Sequence, residues 1–177
     1  VASPMPPPEW ALLERALLEQ QTAACQLFFD RYYDRNTGYF LAIERWGAND
    51  GPDDAIENVN NWPQLYSLGG DERIRQMYEL AYEGHVRQFG LAKTTQVPAG
   101  RQGMYFKEFS AQMDWQHQSE GMTVFNVMGL GDPYNKRYRD RVRRFAGFYT
   151  GEDKTTPNYD PKNKLIRSMI NGSRGPL

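Results

Sequence analysis

Two clusters of acidic and amide side chains carry the residue types that acid/base chemistry requires. The first lies at residues 53–62, where Asp54, Asn58 and Asn61 fall on one face if the segment is helical. A carboxyl group there can hold or release a proton while the amides bind hydroxyl groups. The alternative is a capped helix start with a solvated polar face. Two amides in the middle of a helix are poor helix formers, however, and this favours a functional role.

The second cluster lies at residues 114–120 and combines two carboxylates with a histidine. Asp114, His117 and Glu120 fall within an arc of about 120° if this segment is helical. A carboxyl group from this cluster, facing Asp54 or Glu57 of the first across a cleft, would place a proton donor opposite a base. The alternative is structural, with Asp114 as a helix N-cap and His117 as a polar residue of the first turn.

Five helices are predicted to position these clusters. Apolar periodicity predicts them at residues 9–34, 53–68, 71–89, 117–130 and from 134 to about 149. Pro63 should kink the second helix, because a proline cannot donate to the carbonyl four residues earlier. Short turns containing glycine and aspartate join the second helix to the third and the fourth to the fifth, so both pairs are predicted antiparallel hairpins. Residues 39–46 are predicted to be a strand or extended segment.

The segments outside the hairpins complete the predicted organisation. Residues 1–8 are a Pro-rich extended segment, residues 9–150 form the helical domain, and residues 151–177 are polar and loop-like. Long loops precede each hairpin and carry polar and aromatic residues to one end of the helices, where loop-borne function collects. The sequence therefore predicts an all-α fold of antiparallel helical hairpins.

Composition argues against several classes of function. The net charge is −1, which gives no basis for nucleic-acid binding. No apolar run approaches the roughly 18–20 residues of a membrane span. The chain has two histidines and no zinc-type spacing, so no metal and no cofactor are predicted. The lone Cys25 is predicted to be a buried inert thiol, His85 a core histidine, and the basic run at 136–144 a solvated outer face.

The segments that hold the two clusters resemble a known superfamily. The run DDAIENVNNWPQLYSLGGDE at 53–72 and the run MDWQHQSEG at 113–121 resemble inner-helix and turn segments of six-hairpin glycosidase-like proteins. The resemblance covers roughly residues 9–150 and implies an (α/α)6 toroid, whose inner helices point their N-terminal ends at a carbohydrate-binding cleft. Such a ring has twelve helices, so the resemblance implies part of an α/α-toroid that a further chain or chain portion completes.

The resemblance also implies a function. The expected protein is a carbohydrate-active enzyme, foremost a glycoside hydrolase that acts on an oligo- or polysaccharide through two carboxyl groups. The catalytic candidates are Asp54, Asp114, Glu120 and His117. The substrate-binding candidates are the aromatic and amide side chains in and near the clusters: Trp46, Asn58, Asn61, Trp62, Tyr105, Trp115 and Gln118. A periplasmic or extracellular location is the corresponding expectation.

Two other functions stay open at this point. A non-catalytic carbohydrate-binding or assembly subunit could use the same toroid without turnover, because fold does not fix function. A polysaccharide lyase would need a base, such as His117 or Tyr105, and a cation to neutralise a uronate, such as Arg101 or Arg45. Residues of these types occur in almost any chain, so hydrolysis is favoured over elimination.

Overall fold

The computed structural model describes residues 5–42, 53–90, 122–152 and 159–166. Within these ranges the protein is mainly helical, as the apolar periodicity predicts. The elements in chain order are α1 (Glu9–Tyr32), β1 (Tyr33–Asp34), β2 (Tyr39–Phe40), α2 (Asp53–Glu57), α3 (Trp62–Ser67), α4 (Glu72–Gly90), α5 (Thr123–Met128), α6 (Lys136–Thr150), β3 (Tyr159–Asp160) and β4 (Leu165–Ile166).

Helix α4 is the centre of the described structure. It contacts α1, α2, α3, α5 and strand β2. Its core-facing side carries Ile74, Tyr78, Ala81 and His85, which have no exposed surface. Asp71 caps the helix as predicted, because its side-chain Oδ1 accepts a hydrogen bond of 2.8 Å from the backbone N–H of Arg73.

The second predicted helix is two short helices rather than one kinked helix. Helix α2 ends at Glu57, residues 58–61 form turns, and α3 begins at Trp62. Pro63 therefore occupies the first turn of α3, where a missing N–H costs nothing because helix-start donors have no intrahelical acceptor. The prediction of a continuous helix kinked at Pro63 is wrong, since the chain breaks before the proline.

The β1–β2 hairpin follows α1 and packs directly on α4. The Asp34 carboxylate accepts from the backbone N–H of Asn36 at 2.9 Å and from the Thr37 hydroxyl at 2.7 Å, which shapes the turn. Gly38 closes the turn with a φ of 69°, in the left-handed region. On α4, a Cβ at Gly84 would overlap the carbonyl oxygen of Gly38. Glycine at position 84 is therefore what lets the hairpin and the helix touch backbone to backbone.

Helix α6 follows α5 after a short turn, and Tyr138 of α6 packs on Phe125 of α5 with ring centroids 5.3 Å apart. Asn135 caps α6 by accepting from the backbone N–H of Tyr138 at 3.1 Å. On α6, Tyr138 and Phe145 pack on the core. Val142 of the same helix is exposed, as is Tyr134 just before the helix.

The predicted solvated basic face is wrong in part. The guanidinium of Arg141 donates to both oxygens of Glu83 on α4, at 2.5 and 2.9 Å, and its side chain is only 12% exposed. Arg137 also pairs with Glu83, at 3.1 Å. The basic run therefore includes the residues that join α6 to α4.

The segment after α6 contains a hairpin that repeats the first one. Strands β3 and β4 lie within residues 151–177, which were predicted to be loop-like, so that prediction is incomplete. The repeat is visible in the letters YDRNTGYF at 33–40 and YDPKNKLI at 159–166. Asp160 accepts from the backbone N–H of Lys162 at 2.9 Å, as Asp34 does from Asn36. Lys164 adopts a φ of 56°, the conformation that Gly38 has in the first turn.

Candidate functional site

The α2–α3 segment is anchored by its apolar side. Ala55, Ile56 and Val59 have no exposed surface, and Trp62 is 8% exposed. This spacing of one, three and three residues follows one side of a helical path, although the chain there is turn rather than helix at residues 58–61. The backbone N–H of Val59 donates to the carbonyl of Ile56 at 3.1 Å and that of Trp62 to Val59 at 3.1 Å, so the turns are tight. The core thus fixes the position of the polar residues in between.

The amides of the first cluster lie in these turns. Asn61 is exposed and directly precedes α3, and Asn58 is half-buried with its Nδ2 donating to the carbonyl of Ala55 at 3.3 Å. Asp54 lies in the first turn of α2. The prediction that Asp54, Asn58 and Asn61 share one helix face is wrong in its geometry, because a shared face requires the continuous helix that the break at 58–61 interrupts.

Trp62 belongs to the core. Its ring lies edge-on to that of Phe28 on α1, with centroids 6.2 Å apart and an interplanar angle of 77°. Aromatic pairs favour this edge-to-face arrangement. A ring that is 8% exposed offers almost no surface for stacking on a sugar, so the predicted stacking role does not fit this side chain.

The second cluster falls outside the described residues. Asp114, Trp115, His117, Gln118 and Glu120 lie in the gap before residue 122, and Trp46 and Tyr105 lie in other gaps. The structure therefore leaves their roles as predictions from the sequence. Helix α5 follows this cluster in the chain and packs against α2, α3 and α4. The second cluster thus precedes a helix that touches the helices of the first.

Two further amides of the α2–α3 segment were not singled out from the sequence. The side-chain oxygens of Asn60 and Gln64 are buried and have no hydrogen-bond partner within the structure described here. Buried polar oxygens usually have a partner, which makes this pair a notable part of the candidate site. The signal in the sequence is the run of three asparagines at 58, 60 and 61, with Gln64 one turn beyond Asn60.

The buried titratable groups of the core have structural roles. Burial lowers the pKa of His85 to about 3, so the imidazole is neutral at physiological pH. This confirms the prediction of a core histidine. Burial raises the pKa of the half-buried Cys25 thiol to about 11, so it stays protonated and weakly nucleophilic, as the prediction of an inert thiol requires.

The described ranges contain no group of three or more His, Cys, Asp or Glu side chains placed to hold a metal ion. Within the same ranges, every helix is too short or too polar to cross a membrane.

The amides of the α2–α3 segment, Asn58, Asn60, Asn61 and Gln64, are thus the part of the candidate site that the structure describes. Searches of curated proteins and of solved structures found no match to the chain. A family described as a domain of unknown function, DUF8034, matches residues 2–177. Because this match spans nearly the whole chain, the protein belongs to the DUF8034 family.

Proposed function

We propose that this protein is a carbohydrate-active enzyme of the glycoside hydrolase type, built as part of an α/α-toroid. The observation that supports the proposal is the α2–α3 segment, whose buried apolar residues hold four amides between them, with Asn61 exposed. Amides that both donate and accept hydrogen bonds match the hydroxyl groups of a sugar. The close packing of α3 on α4, which a short turn joins, supports the toroid, since antiparallel hairpins are its building units.

In this proposal the chemistry requires one carboxyl group from each cluster. Asp54 would come from the first cluster, and Asp114 or Glu120 from the second. One carboxylic acid protonates the glycosidic oxygen while the other acts as base or nucleophile on the opposite face of the sugar. Asn58 and Asn61 would bind sugar hydroxyls, and His117, Gln118, Trp46, Tyr105 and Trp115 stay candidates for positioning the substrate. A further chain or chain portion would complete the ring.

The exposed amide Asn61 favours a second candidate function, a non-catalytic carbohydrate-binding subunit. Hydrogen bonds from amides bind a glycan without any carboxyl pair, so this function needs only the part of the site that the structure describes. A hydrolase would bind and cleave its glycan, whereas a binding subunit would bind the glycan without cleaving it.

The experiment is a panel of oligo- and polysaccharides assayed for reducing-end release and for binding by calorimetry. If the hydrolase is correct, Asp114→Asn abolishes turnover and leaves the melting temperature unchanged. Asp140→Asn, an exposed acid of α6, is the matched control and keeps full activity. Full activity of Asp114→Asn would remove Asp114 from the mechanism.

Binding separates the remaining outcomes. Asn61→Ala should weaken glycan binding, whereas Asn36→Ala, an exposed amide in the β1–β2 turn, should not. Binding without turnover of any glycan would favour the binding subunit. The absence of both binding and turnover for every glycan of the panel would refute a carbohydrate function.

A further inference from the structure

The outward face of α1 is exposed and, apart from Gln20, apolar from Leu13 to Leu27. We define this α1 outer face by the residues Leu13, Ala16, Leu17, Gln20, Ala23, Ala24 and Leu27, which are all exposed. Leu13, Leu17 and Leu27 are 63%, 57% and 74% exposed. Contiguous apolar strips of this kind are rare on monomeric soluble proteins and mark interaction surfaces.

The α1 outer face is separate from the face by which α1 packs on the protein. The packed face contains Thr22 and Phe29, which are buried, and Cys25, which is half-buried against the core. At 100° per residue these positions lie on the opposite side of the helix from Leu13 and Leu27. The outer face is therefore a second interface of the same helix, not the edge of the first.

The residues of the α1 outer face are arranged symmetrically about Gln20. Leu13 lies seven residues before Gln20 and Leu27 seven after it. Ala16 and Ala24 are each four residues away, and Leu17 and Ala23 each three. When two copies of such a helix lie antiparallel with Gln20 facing Gln20, each leucine meets an apolar residue of the other copy. A two-fold interface needs this self-complementarity, because every contact occurs twice.

Charges at the ends of the helix follow the same symmetry. Glu9 lies eleven residues before Gln20 in the first turn, and Arg31 lies eleven after it in the last turn. Both are exposed, and neither forms an ion pair with another residue of the described ranges. In an antiparallel pair Glu9 of each copy lies opposite Arg31 of the other. In a parallel pair like charges would meet instead, so the charges select the antiparallel arrangement.

We propose that the α1 outer face is an interface between two copies of this chain, with α1 packed antiparallel on α1 about a two-fold axis at Gln20. The small side chains of Ala16, Ala23 and Ala24 allow the helices to approach at the short end of the usual 8–10 Å between axes. The glutamates that flank the outer face make a membrane surface a less suitable partner for it than a second copy of the chain. Membrane surfaces attract helices rich in Lys and Arg.

Charge reversal and rescue test the interface in the 177-residue chain. Sedimentation velocity over a range of concentrations should show a dimer for the wild-type chain. Glu9→Arg and Arg31→Glu should each raise the dimer dissociation constant about tenfold, because each dimer contains the pair twice. The double variant, Glu9→Arg with Arg31→Glu, should restore the wild-type dissociation constant. If the two residues acted only within the protomer, combining the substitutions would not restore it. Both residues are exposed, so circular dichroism should show every variant folded.

Cross-linking tests the position of the two-fold axis. In a Cys25→Ala background, Gln20→Cys should form a disulfide-linked dimer on mild oxidation because the two thiols meet at the axis. Glu14→Cys, exposed but off the outer face, is the matched control and should not. A monomeric wild-type chain, a dimer insensitive to both charge reversals, or equal cross-linking at positions 14 and 20 would each overturn the proposal. These outcomes involve no glycan, so they are independent of the proposed function.

Discussion

His85 makes the folding stability of this protein sensitive to mild acid. The imidazole has no exposed surface, and burial lowers its pKa to about 3 from an unfolded value near 6.5. Below pH 6.5 the unfolded chain therefore binds a proton at this site that the folded protein does not bind. The free energy of unfolding falls by about 1.4 kcal/mol for each pH unit in that range.

The expected loss between pH 7.5 and pH 5 is about 2 kcal/mol, nearly all of it below pH 6.5. This window avoids the carboxylates. Asp34, Asp71 and Glu72 have pKa values that hydrogen bonds hold below their usual range. The stability that they contribute is lost only as the pH falls through and below their unfolded values near 4.

The assay is urea unfolding followed by circular dichroism at both pH values. His85→Gln keeps a polar side chain but removes the titration, so about 2 kcal/mol of the pH dependence should disappear even if the variant is less stable at both values. Val86→Ala, which weakens the core next to His85 without removing a titratable group, is the control and should keep the wild-type pH dependence. An unchanged pH dependence in His85→Gln would refute the reasoning, because it would mean that His85 titrates alike in the folded and unfolded states.

Two contacts between elements give further predictions. Gly84→Ala should lower the free energy of unfolding in urea by up to about 2 kcal/mol, since overlap with the Gly38 carbonyl costs about 1–3 kcal/mol and helix propensity returns about 1 kcal/mol. Gln76→Ala on the exposed side of α4 is the control and should change it by less than about 0.5 kcal/mol. A stabilised Gly84→Ala variant would contradict the close packing. Arg141→Ala should lower the free energy of unfolding by about 2 kcal/mol in the same measurement. The substitution removes both hydrogen bonds to Glu83 and the guanidinium that lies 5.4 Å from the centroid of the Tyr82 ring. The exposed Arg139→Ala is the control, and an equal loss in both variants would show that the Arg141–Glu83 pair contributes nothing to stability.

Local signals in the sequence were sufficient for the long helices and their caps. The predicted helix at 9–34 is observed as Glu9–Tyr32 and the one at 71–89 as Glu72–Gly90. In both cases a wide apolar repeat coincides with clear end signals, Pro8 before the first and Asp71 before the second. Agreement between periodicity and capping made these elements predictable.

The break between α2 and α3 shows that a proline in a helical pattern is compatible with two structures. Pro63 can kink a helix or begin one, because only interior positions need its missing N–H. The sequence around it fits both. Tight turns at residues 58–61 bury Val59 and Trp62, and the chain therefore begins a new helix at Trp62 instead of kinking one at Pro63. This burial depends on contacts with α1 and α4. The geometry of the first cluster could therefore not be derived from spacing alone.

Arg141 and the β3–β4 hairpin were missed for different reasons. The partner of Arg141 is Glu83, 58 residues away in sequence, so no local pattern identifies the one arginine of the basic run that α4 covers most. The hairpin, by contrast, was within reach. Its letters repeat the Tyr-Asp start and four-residue turn of β1–β2, but a lysine stands where the first hairpin has its glycine. Comparing the two segments with each other, rather than reading each for β-propensity, would have found it.

The antiparallel α1 pair and the ring that the resemblance implies would cover the α1 outer face with different helices. A ring closed over α1 would cover its outer face with a different helix of the ring, whereas the proposed dimer covers that face with a second α1. The charges of Glu9 and Arg31 favour an antiparallel neighbour that is a copy of α1 itself. If Gln20→Cys cross-links, closure of a ring over the α1 outer face is excluded in that assembly. The carboxyl pair proposed for the site does not depend on closure there, since Asp54, Asp114 and Glu120 all belong to the same chain.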